Sequence, residues 1–306
     1  MYRDMKPQRG FTLVEMIIVI VITGIIAGMV AMFIRAPVQG YVDSARRAEM
    51  SDIADTALRR MGRDLRTAVP NSVRMLTPAG STYVEFLPTR DGGRYRVNDN
   101  GGTACDAIAA GDDLDFGAAD TCFAIVGTPI TFTAGDGIVV GSTQSSGNSP
   151  YCTATTCVVA GVTEPGALRA YTGAVGAQPI VVMAGAARFH SSTELDGHRF
   201  EVVPVEQEAV TYACVNPGGG ACGVDANGDG TCQLTRFWSY GFNPTQLAPA
   251  ALAAPSAAIL ANRVSNCNFV YDTNNARNSL LATSLTITRD NESVNLYHEV
   301  HINNIP

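Results

Sequence analysis

The stretch Arg9-Gly10-Phe11-Thr12-Leu13-Val14-Glu15 opens an apolar run that continues to Ile34. From Phe11 to Ile34 the sequence is FTLVEMIIVIVITGIIAGMVAMFI, and Glu15 is its only charged residue. As a helix this run spans about 36 Å, which is long enough to cross the hydrocarbon core of a membrane. An ionisable group inside such a span costs about 2.5–3.5 kcal/mol, so a partner or a function has to hold it there. The run therefore predicts a membrane helix in which Glu15 needs a cationic partner.

The ten residues before the run form a positively charged leader. Arg3, Lys6 and Arg9 outnumber Asp4 in it, and positive flanks stay on the cytoplasmic side of a membrane. We therefore expect the rest of the chain to be exported. The apolar run is too long for the central segment of an ordinary cleaved signal peptide. A plain signal anchor with an incidental Glu15 at its edge is the alternative.

The segment from Arg9 to Glu15 resembles the type IV prepilin signature. In that signature Gly10 precedes the cleavage site, Phe11 becomes the new N-terminus and Glu15 is the fifth mature residue. The resemblance implies that an inner-membrane prepilin peptidase cuts after Gly10 and then methylates the Phe11 amine. It also implies that the Glu15 carboxylate pairs with the N-terminal amine of a neighbouring subunit, which satisfies two charges that lipid would leave bare. We expect Glu15 to be an assembly residue.

An amphipathic pattern follows the apolar run. Apolar residues recur at spacings of three and four, and most charged residues lie off this stripe. The stripe comprises Met50, Ile53, Ala54, Ala57, Met61, Leu65 and Ala68. This pattern predicts that the membrane helix of 11–34 continues over 35–69 with one buried face and one solvated face rich in arginine. Pro37 and Gly40 predict a bend near the membrane exit, and Pro70 predicts the end of the helix.

Beyond the helix, short β-type runs alternate with clusters of Gly, Pro, Asn, Asp and Ser. The candidate strands are Tyr83–Leu87, Thr121–Val126, Gly137–Val140, Ile180–Met183, Arg199–Val203, Ala209–Cys214, Leu234–Tyr240, Leu280–Thr288 and Val294–Ile302. Ala248–Leu260 carries two prolines, so we expect a short helix or a loop there. The Gly-, Ser- and Thr-rich stretch 141–176 is expected to be elaborated loop. The predicted fold class is α+β, with a long N-terminal helix packed on an antiparallel β-sheet head at 70–306.

All eight cysteines lie after residue 100, which agrees with export to an oxidising compartment. Eight cysteines allow 105 sets of four pairs, so connectivity stays open. Local proximity favours Cys105–Cys122 and Cys152–Cys157. A Cys222–Cys232 bond would close a Gly-rich insert and leave Cys214–Cys267 as the long-range link. Zinc is the alternative, although the spacings lack paired C-x-x-C motifs.

The Gly-rich insert contains Asp225-Ala226-Asn227-Gly228-Asp229-Gly230, with side-chain oxygens at alternate positions and glycine at the sixth. Asp225, Asn227 and Asp229 match the first half of a calcium loop, in which hard oxygen ligands wrap the cation. The twelfth position is Arg236, where a calcium loop places a bidentate glutamate. A possible calcium site and a polar turn are both open, and no other cofactor is expected.

Composition and pattern argue against nucleic-acid binding and against catalysis. The net charge is −7 and the only lysine is Lys6, whereas phosphate binding needs clustered basic residues. Catalytic motifs do not surround any histidine, so we expect packing or surface roles for His190, His198, His298 and His301. Asp112, Asp113 and Asp115 could present carboxylates, but an acidic turn before a strand explains them as well. We do not expect an enzyme.

Three further segments narrow the resemblance. Ala45-Arg46-Arg47-Ala48-Glu49, the stretch 58–66 and the C-terminal stretch 294–306 are similar to the large minor pilins of the mannose-sensitive haemagglutinin (MSHA) pilus. Those pilins are related to the J-type minor pseudopilins of type II secretion. The resemblance implies a noncatalytic subunit at the fibre tip that helps to initiate or cap pilus assembly. A type II secretion pseudopilin and a tip adhesin are the alternatives.

The same resemblance implies partners and a location. The expected partners are other minor and major pilins, the prepilin peptidase and methylase, and the inner-membrane assembly platform. The subunit would begin as a single-pass inner-membrane protein with a periplasmic head and then enter the fibre. The expected division is a cleaved leader at 1–10, a membrane and fibre-core helix at 11–34, an amphipathic helix at 35–69 and a β-rich head at 70–306.

Overall fold

The computed structural model describes residues 10–77, 82–97, 105, 112–117, 119–142, 149–152, 157–159, 162–164, 166–187, 189, 197–272 and 278–305. The chain divides into two compact units, Met1–Glu49 and Met50–Pro306. Helix α1, Leu13–Arg66, contributes residues to both units. The first unit is helical from Leu13 onward, and Pro37 lies inside α1 without ending it.

The last part of α1 packs within the second unit through one apolar face. The fully buried residues of this face are Met50, Ala54, Ala57, Leu58, Met61 and Leu65. Two details of the predicted stripe are wrong, because Ile53 is 37% exposed and Leu58 is buried instead. The arginines occupy the solvated face as expected, and Arg59 pairs with Asp55 at 2.7 Å.

Helix α1 ends at Arg66, three residues before the predicted end at 69. The Thr67 backbone N–H and hydroxyl both donate to the Asp64 carbonyl, at 3.0 and 2.7 Å. The Val69 N–H then donates to the Leu87 carbonyl at 2.8 Å, so the chain has already turned into the β head before Pro70. These bonds satisfy groups that are left unpaired at the end of a helix.

The described part of the second unit contains seventeen strands, all paired antiparallel. In chain order they are β1 (Arg74–Leu76), β2 (Tyr83–Phe86), β3 (Asp91–Tyr95), β4 (Asp120–Val126), β5 (Ile130–Phe132), β6 (Gly137–Val140), β7 (Cys157–Val159), β8 (Val162–Glu164), β9 (Leu168–Ala170), β10 (Gly176–Gln178), β11 (Ile180–Ala187), β12 (Arg199–Val203), β13 (Val210–Val215), β14 (Cys232–Trp238), β15 (Ser256–Asp272), β16 (Asn278–Arg289) and β17 (Glu292–Asn303). A short 3-10 helix, Pro249–Ala251, precedes β15. The predicted α+β fold class is confirmed.

The larger sheet has seven strands in the order β1-β2-β13-β14-β15-β16-β17. Its core combines the buried face of α1 with one face of the sheet, including Phe86, Tyr212, Phe269 and Leu285. The other face of β17 is exposed at alternate residues, as expected for an antiparallel strand with one side in solvent. The sheet and the last part of α1 therefore form two layers that share one apolar core.

The smaller sheet has six strands in the order β11-β4-β3-β12-β6-β9. Its two end strands approach each other, because Tyr171 next to β9 forms a bridge with Met183 of β11. The Thr172 N–H also donates to the Val182 carbonyl at 2.9 Å. The sheet thus curls around its own core of buried aliphatic and aromatic side chains, among them Phe123, Phe132 and Phe200.

Two loop predictions are wrong in part. The short helix or loop predicted at Ala248–Leu260 is present as the 3-10 helix Pro249–Ala251, but the prediction is wrong from Ser256, where β15 begins. The stretch 141–176 was expected to be loop, but it contains β7, β8 and β9. β15 forms through pairing with β14 and β16, in a sequence that carries few β-branched residues. β7 and β8 pair locally with each other.

Candidate functional site

The N-terminal end of α1 begins with a side-chain cap. The Thr12 hydroxyl accepts a hydrogen bond from the Glu15 N–H at 3.3 Å, and the Thr12 carbonyl accepts one from the Met16 N–H at 3.2 Å. Thr12 is therefore the N-cap residue, which satisfies a donor that the first turn leaves unpaired. Thr12 was not predicted as a cap, although Thr12-x-x-Glu15 has the spacing of a capping box.

Glu15 lies in the first turn of α1, at the same end as the expected processing site. The aligned peptide dipoles give that end of a helix a partial positive charge, which favours a carboxylate there. Gly10 is exposed, and the Phe11 side chain is 83% exposed. The expected cleavage residues and the expected assembly carboxylate are thus both open to other molecules.

The first unit exposes a continuous apolar surface. From Phe11 to Ile34 every residue is exposed, and the large apolar side chains include Ile17, Ile20, Ile26 and Phe33. A soluble monomer rarely exposes an apolar patch of this extent, so such a surface requires lipid or other apolar helices. Among the described helices α1 is long and apolar enough to cross a membrane, and none of the residues in its most apolar segment is buried. The helix therefore has the properties of a membrane anchor.

Disulfides in the head join Cys105 to Cys122, Cys214 to Cys267 and Cys222 to Cys232, with Cα separations of 5.7, 6.3 and 5.3 Å. Cys152 is disulfide-bonded as well, but the side chain of Cys157 lies outside the described residues, so the Cys152–Cys157 bond stays a prediction. Cys105, Asp112 and Cys122 are close enough to hold a metal ion. Because the two cysteines are bonded to each other, they present no thiolate there.

The insert at 225–230 is a hydrogen-bonded turn. Asp225 Oδ1 accepts the N–H groups of Asn227 and Asp229, both at 2.9 Å. These bonds, that of Asp229 above all, hold the pKa of Asp225 below its usual value. Asp229 Oδ1 accepts the Asp290 N–H at 3.0 Å, and its Oδ2 lies 3.1 Å from Arg263 Nε. Calcium binding at Asp225, Asn227 and Asp229 stays a prediction, and it requires Arg263 to release Asp229.

The remaining histidines and acids that were considered for a catalytic or binding role do not form a common site among the described residues. His298 and His301 lie on opposite faces of β17, while His190 is outside the described residues. Asp115 Oδ1 accepts the Gly117 N–H at 2.6 Å, in a turn that precedes β4.

Buried Glu85 accepts from Arg74 Nε at 2.8 Å and from the Tyr240 hydroxyl at 3.0 Å, and burial raises its pKa. That cluster is an internal structural contact.

A sequence model of the prokaryotic N-terminal methylation motif matches residues 5–31 of the chain. This match covers the second half of the leader, the expected processing site, Glu15 and most of the apolar run. No curated protein and no solved structure matches the chain. The type IV pilin family is structural rather than catalytic. The matched motif and the exposed apolar helix are features that this chain shares with type IV prepilins and pseudopilins.

Proposed function

We propose that the chain is a minor type IV pilin-like subunit of the MSHA pilus kind, which helps to initiate or cap fibre assembly. Prepilin peptidase removes residues 1–10 by cutting after Gly10, and the new Phe11 amine is methylated. Residues 11–34 then anchor the subunit in the inner membrane and later enter the fibre core. Residues 35–69 connect this anchor to a periplasmic head at 70–306.

The observation that carries this proposal is the exposed apolar helix with a single carboxylate in its first turn. Apolar side chains drive the helix into lipid or against other helices, but they give no register between subunits. A carboxylate and a terminal amine at the same helix end supply that register, because each needs an opposite charge in an apolar surrounding. Glu15 of one subunit therefore pairs with the Phe11 amine of its neighbour.

The proposed partners follow from this pairing. Other minor and major pilins supply the neighbouring helices, and the inner-membrane assembly platform moves the subunit out of the bilayer. The large, disulfide-bonded head favours a position at the tip, where it meets neighbours on one side only. A minor pseudopilin of type II secretion would use the same N-terminal chemistry, and a tip adhesin would add a ligand site on the head.

Substitution of Glu15 tests the proposal. In cells, Glu15→Ala should be cleaved and membrane-inserted like the wild type, since the change removes a group that is costly in lipid. Its recovery in sheared fibres should fall by about tenfold or more, because a hydrogen bond to a charged group contributes about 1.5–3 kcal/mol. Glu49→Ala, in the same helix but beyond the apolar run, is the matched control. Equal recovery of Glu15→Ala and Glu49→Ala would refute the assembly role.

A deletion strain separates the two assembly systems. If the subunit serves a pilus, deletion should reduce the number of surface fibres and leave secreted enzymes at wild-type levels. The reverse result would assign the subunit to type II secretion. Glu15→Ala should reproduce whichever defect the deletion causes, because both systems assemble through the N-terminal helix.

A further inference from the structure

The last two turns of α1 carry a row of exposed arginines. Arg59, Arg60, Arg63 and Arg66 are all exposed, on the side of the helix away from the sheet. Positions three and four apart are neighbours on a helix surface, so Arg63 adjoins each of the other three. We call these four residues the arginine row. The row is a concentrated positive surface on a chain whose net charge is −7.

The acids of the same helix segment do not neutralise the arginine row. The acids within residues 50–66 are Asp52, Asp55 and Asp64. Asp55 pairs with Arg59 at 2.7 Å, and Asp64 lies 2.8 Å from Arg236 of β14. Asp52 is exposed, but it lies about 12 Å along the helix from Arg60. One arginine of the row is therefore paired, and the supply of nearby acids ends there.

Three arginines of the row, Arg60, Arg63 and Arg66, have no ion-pair partner among the described residues. Like charges three and four residues apart destabilise a helix. The helix dipole favours cations in the last turn, which accounts in part for Arg63 and Arg66. That effect falls off within the last turn, so it does not account for Arg60. The isolated subunit thus carries a surplus of positive charge that an acidic surface would neutralise.

We propose that the arginine row binds the carboxylates of a helix on a different pilin subunit. This inference rests on the proposed function, in which neighbouring subunits assemble through α1. Arg59, Arg63 and Arg66 follow one another along the helix for about 10 Å. A second helix presents carboxylates at a matching spacing of about 5–6 Å when acids recur every three or four residues. Complementary charge fixes the register of such a contact and excludes partners that carry basic residues there.

A second copy of this chain does not match the arginine row. Over residues 50–66 a copy brings Asp52 as its one acid without an ion-pair partner in the described part of the chain. A little earlier in the helix, Asp43 already lies 4.0 Å from Arg46 of its own chain. One carboxylate would then face three unpaired guanidinium groups. The partner is therefore another subunit, with several exposed carboxylates on one helix face.

Carbodiimide cross-linking of purified fibres tests the contact, because the processed chain has no lysine. Lys6 is the only lysine and lies in the leader. Arg63→Lys keeps the positive charge and places one side-chain amine at the centre of the row, which carbodiimide joins directly to a contacting carboxylate. We expect mass spectrometry to find position 63 linked to an acid on a helix of another subunit. Arg94→Lys, at an exposed arginine of β3, is the control and should not link to that helix.

Three results of the cross-linking would overturn the proposal. They are the absence of any link from position 63, a link to an acid of the same chain, and a link to a second copy of the chain. An equal yield of the same link in the Arg94→Lys control would also overturn it, because the reaction would then report crowding in the fibre rather than contact with the row.

Removal of the unpaired charges gives a second measurement. The triple variant Arg60→Gln, Arg63→Gln and Arg66→Gln retains helix-favouring side chains, so its melting temperature in neutral detergent should equal that of the wild type. Its recovery in sheared fibres should fall by about tenfold, since three exposed ion pairs of ordinary strength multiply to about that factor. Arg94→Gln should be recovered like the wild type.

Comparison with Glu15→Ala separates failure of this inference from failure of the proposed function. Normal recovery of the triple variant, together with a loss in Glu15→Ala, would overturn the contact of the arginine row and leave the pilin-like function standing. Normal recovery of both variants would overturn the two together.

Discussion

Asp64 of α1 and Arg236 of β14 are joined by a hydrogen bond of 2.8 Å between Oδ2 and Nε, and the Tyr212 hydroxyl donates to the same oxygen at 2.7 Å. The Arg236 side chain is 9% exposed and the Asp64 side chain 27%. Asp64 thus ties the end of the helix to two neighbouring strands of the large sheet. Burial, followed by the charge of Asp64, raises the pKa of Tyr212, so the tyrosine stays a donor at physiological pH.

We expect Asp64→Ala to lower the free energy of unfolding of the head by about 3 kcal/mol. The change leaves a nearly buried guanidinium without its counter-charge, and breaking one partner of a buried pair costs about 3–5 kcal/mol. Partial exposure of Asp64 places the expected loss at the lower end. Urea unfolding followed by circular dichroism measures the effect.

Asp55→Ala is the control on the same helix. Its partner Arg59 has a side chain that is 71% exposed, and exposed pairs contribute little. We therefore expect almost no change in the urea midpoint for Asp55→Ala. Similar losses in both variants would show that helix propensity, rather than the contact with Arg236, accounts for the effect.

Glu201 of β12 predicts a specific pH dependence. The Glu201 carboxylate occupies the space next to Gly92 of β3 that a larger side chain would fill. A Cβ added at Gly92 would lie 2.6 Å from Glu201 Oε2. The group lines a small cavity together with Val69, Ser142 and Arg199. The pKa of Glu201 is raised to about 7, chiefly by burial, while the charge of Arg199 lowers it and the charge of Asp91 raises it.

Because the pKa of Glu201 is higher in the folded state, the folded protein binds more protons than the unfolded chain between about pH 4.5 and 7. The contribution of Glu201 to stability is therefore fully present at low pH and is lost as the pH rises through this range, by about 3 kcal/mol at most. Glu201→Gln should remove this part of the pH dependence and be more stable than the wild type at pH 8.

Urea unfolding at several pH values checks this expectation. Glu206→Gln, at a side chain that is 58% exposed, is the control and should follow the wild-type profile. Parallel profiles for the wild type and Glu201→Gln would contradict the account of a neutral Glu201.

The calcium hypothesis for the 225–230 turn makes a prediction about Arg263. Arg263 competes with a cation for Asp229, so Arg263→Ala should strengthen a weak calcium site, whose expected dissociation constant is about 10⁻⁴–10⁻³ M. Millimolar calcium should then raise the melting temperature more in Arg263→Ala than in the wild type. The double variant Asp225→Ala with Asp229→Ala should not respond. No response in any of the three proteins would establish the segment as a polar turn.

Local patterns in the sequence were enough to predict the helix and several strands. The apolar run is uninterrupted, and in the following stripe apolar residues recur at spacings of three and four. Both signals are local in sequence, so they identify α1. β6 contains Ile and two Val, and it has the predicted bounds Gly137–Val140. β12 contains Phe and two Val, and it has the predicted bounds Arg199–Val203. Thr12 was also within reach of sequence reasoning, since its capping box is local.

The features that escaped prediction depend on contacts distant in sequence. Ser256–Asp272 is rich in Ala, Ser and Asn, which favour strands only weakly, and it becomes a 17-residue strand because β14 and β16 pair with it. Arg236 occupies the twelfth position of a calcium-like pattern, but its side chain reaches Asp64 of the helix. Arg169 of β9 is only 2% exposed, and nothing near it in the sequence indicates a buried cation, because the curl of the smaller sheet creates its surroundings.

N-terminal mass analysis of the protein from purified fibres tests whether the chain is processed as a prepilin. We expect a mature chain that begins at Phe11 and carries a methylated amine. Amine labelling of the same sample should mark residue 11 only, because Lys6 is the only lysine and cleavage removes it. A fibre-incorporated protein that retains residues 1–10, or that carries an unmodified Phe11 amine, would contradict the prepilin account.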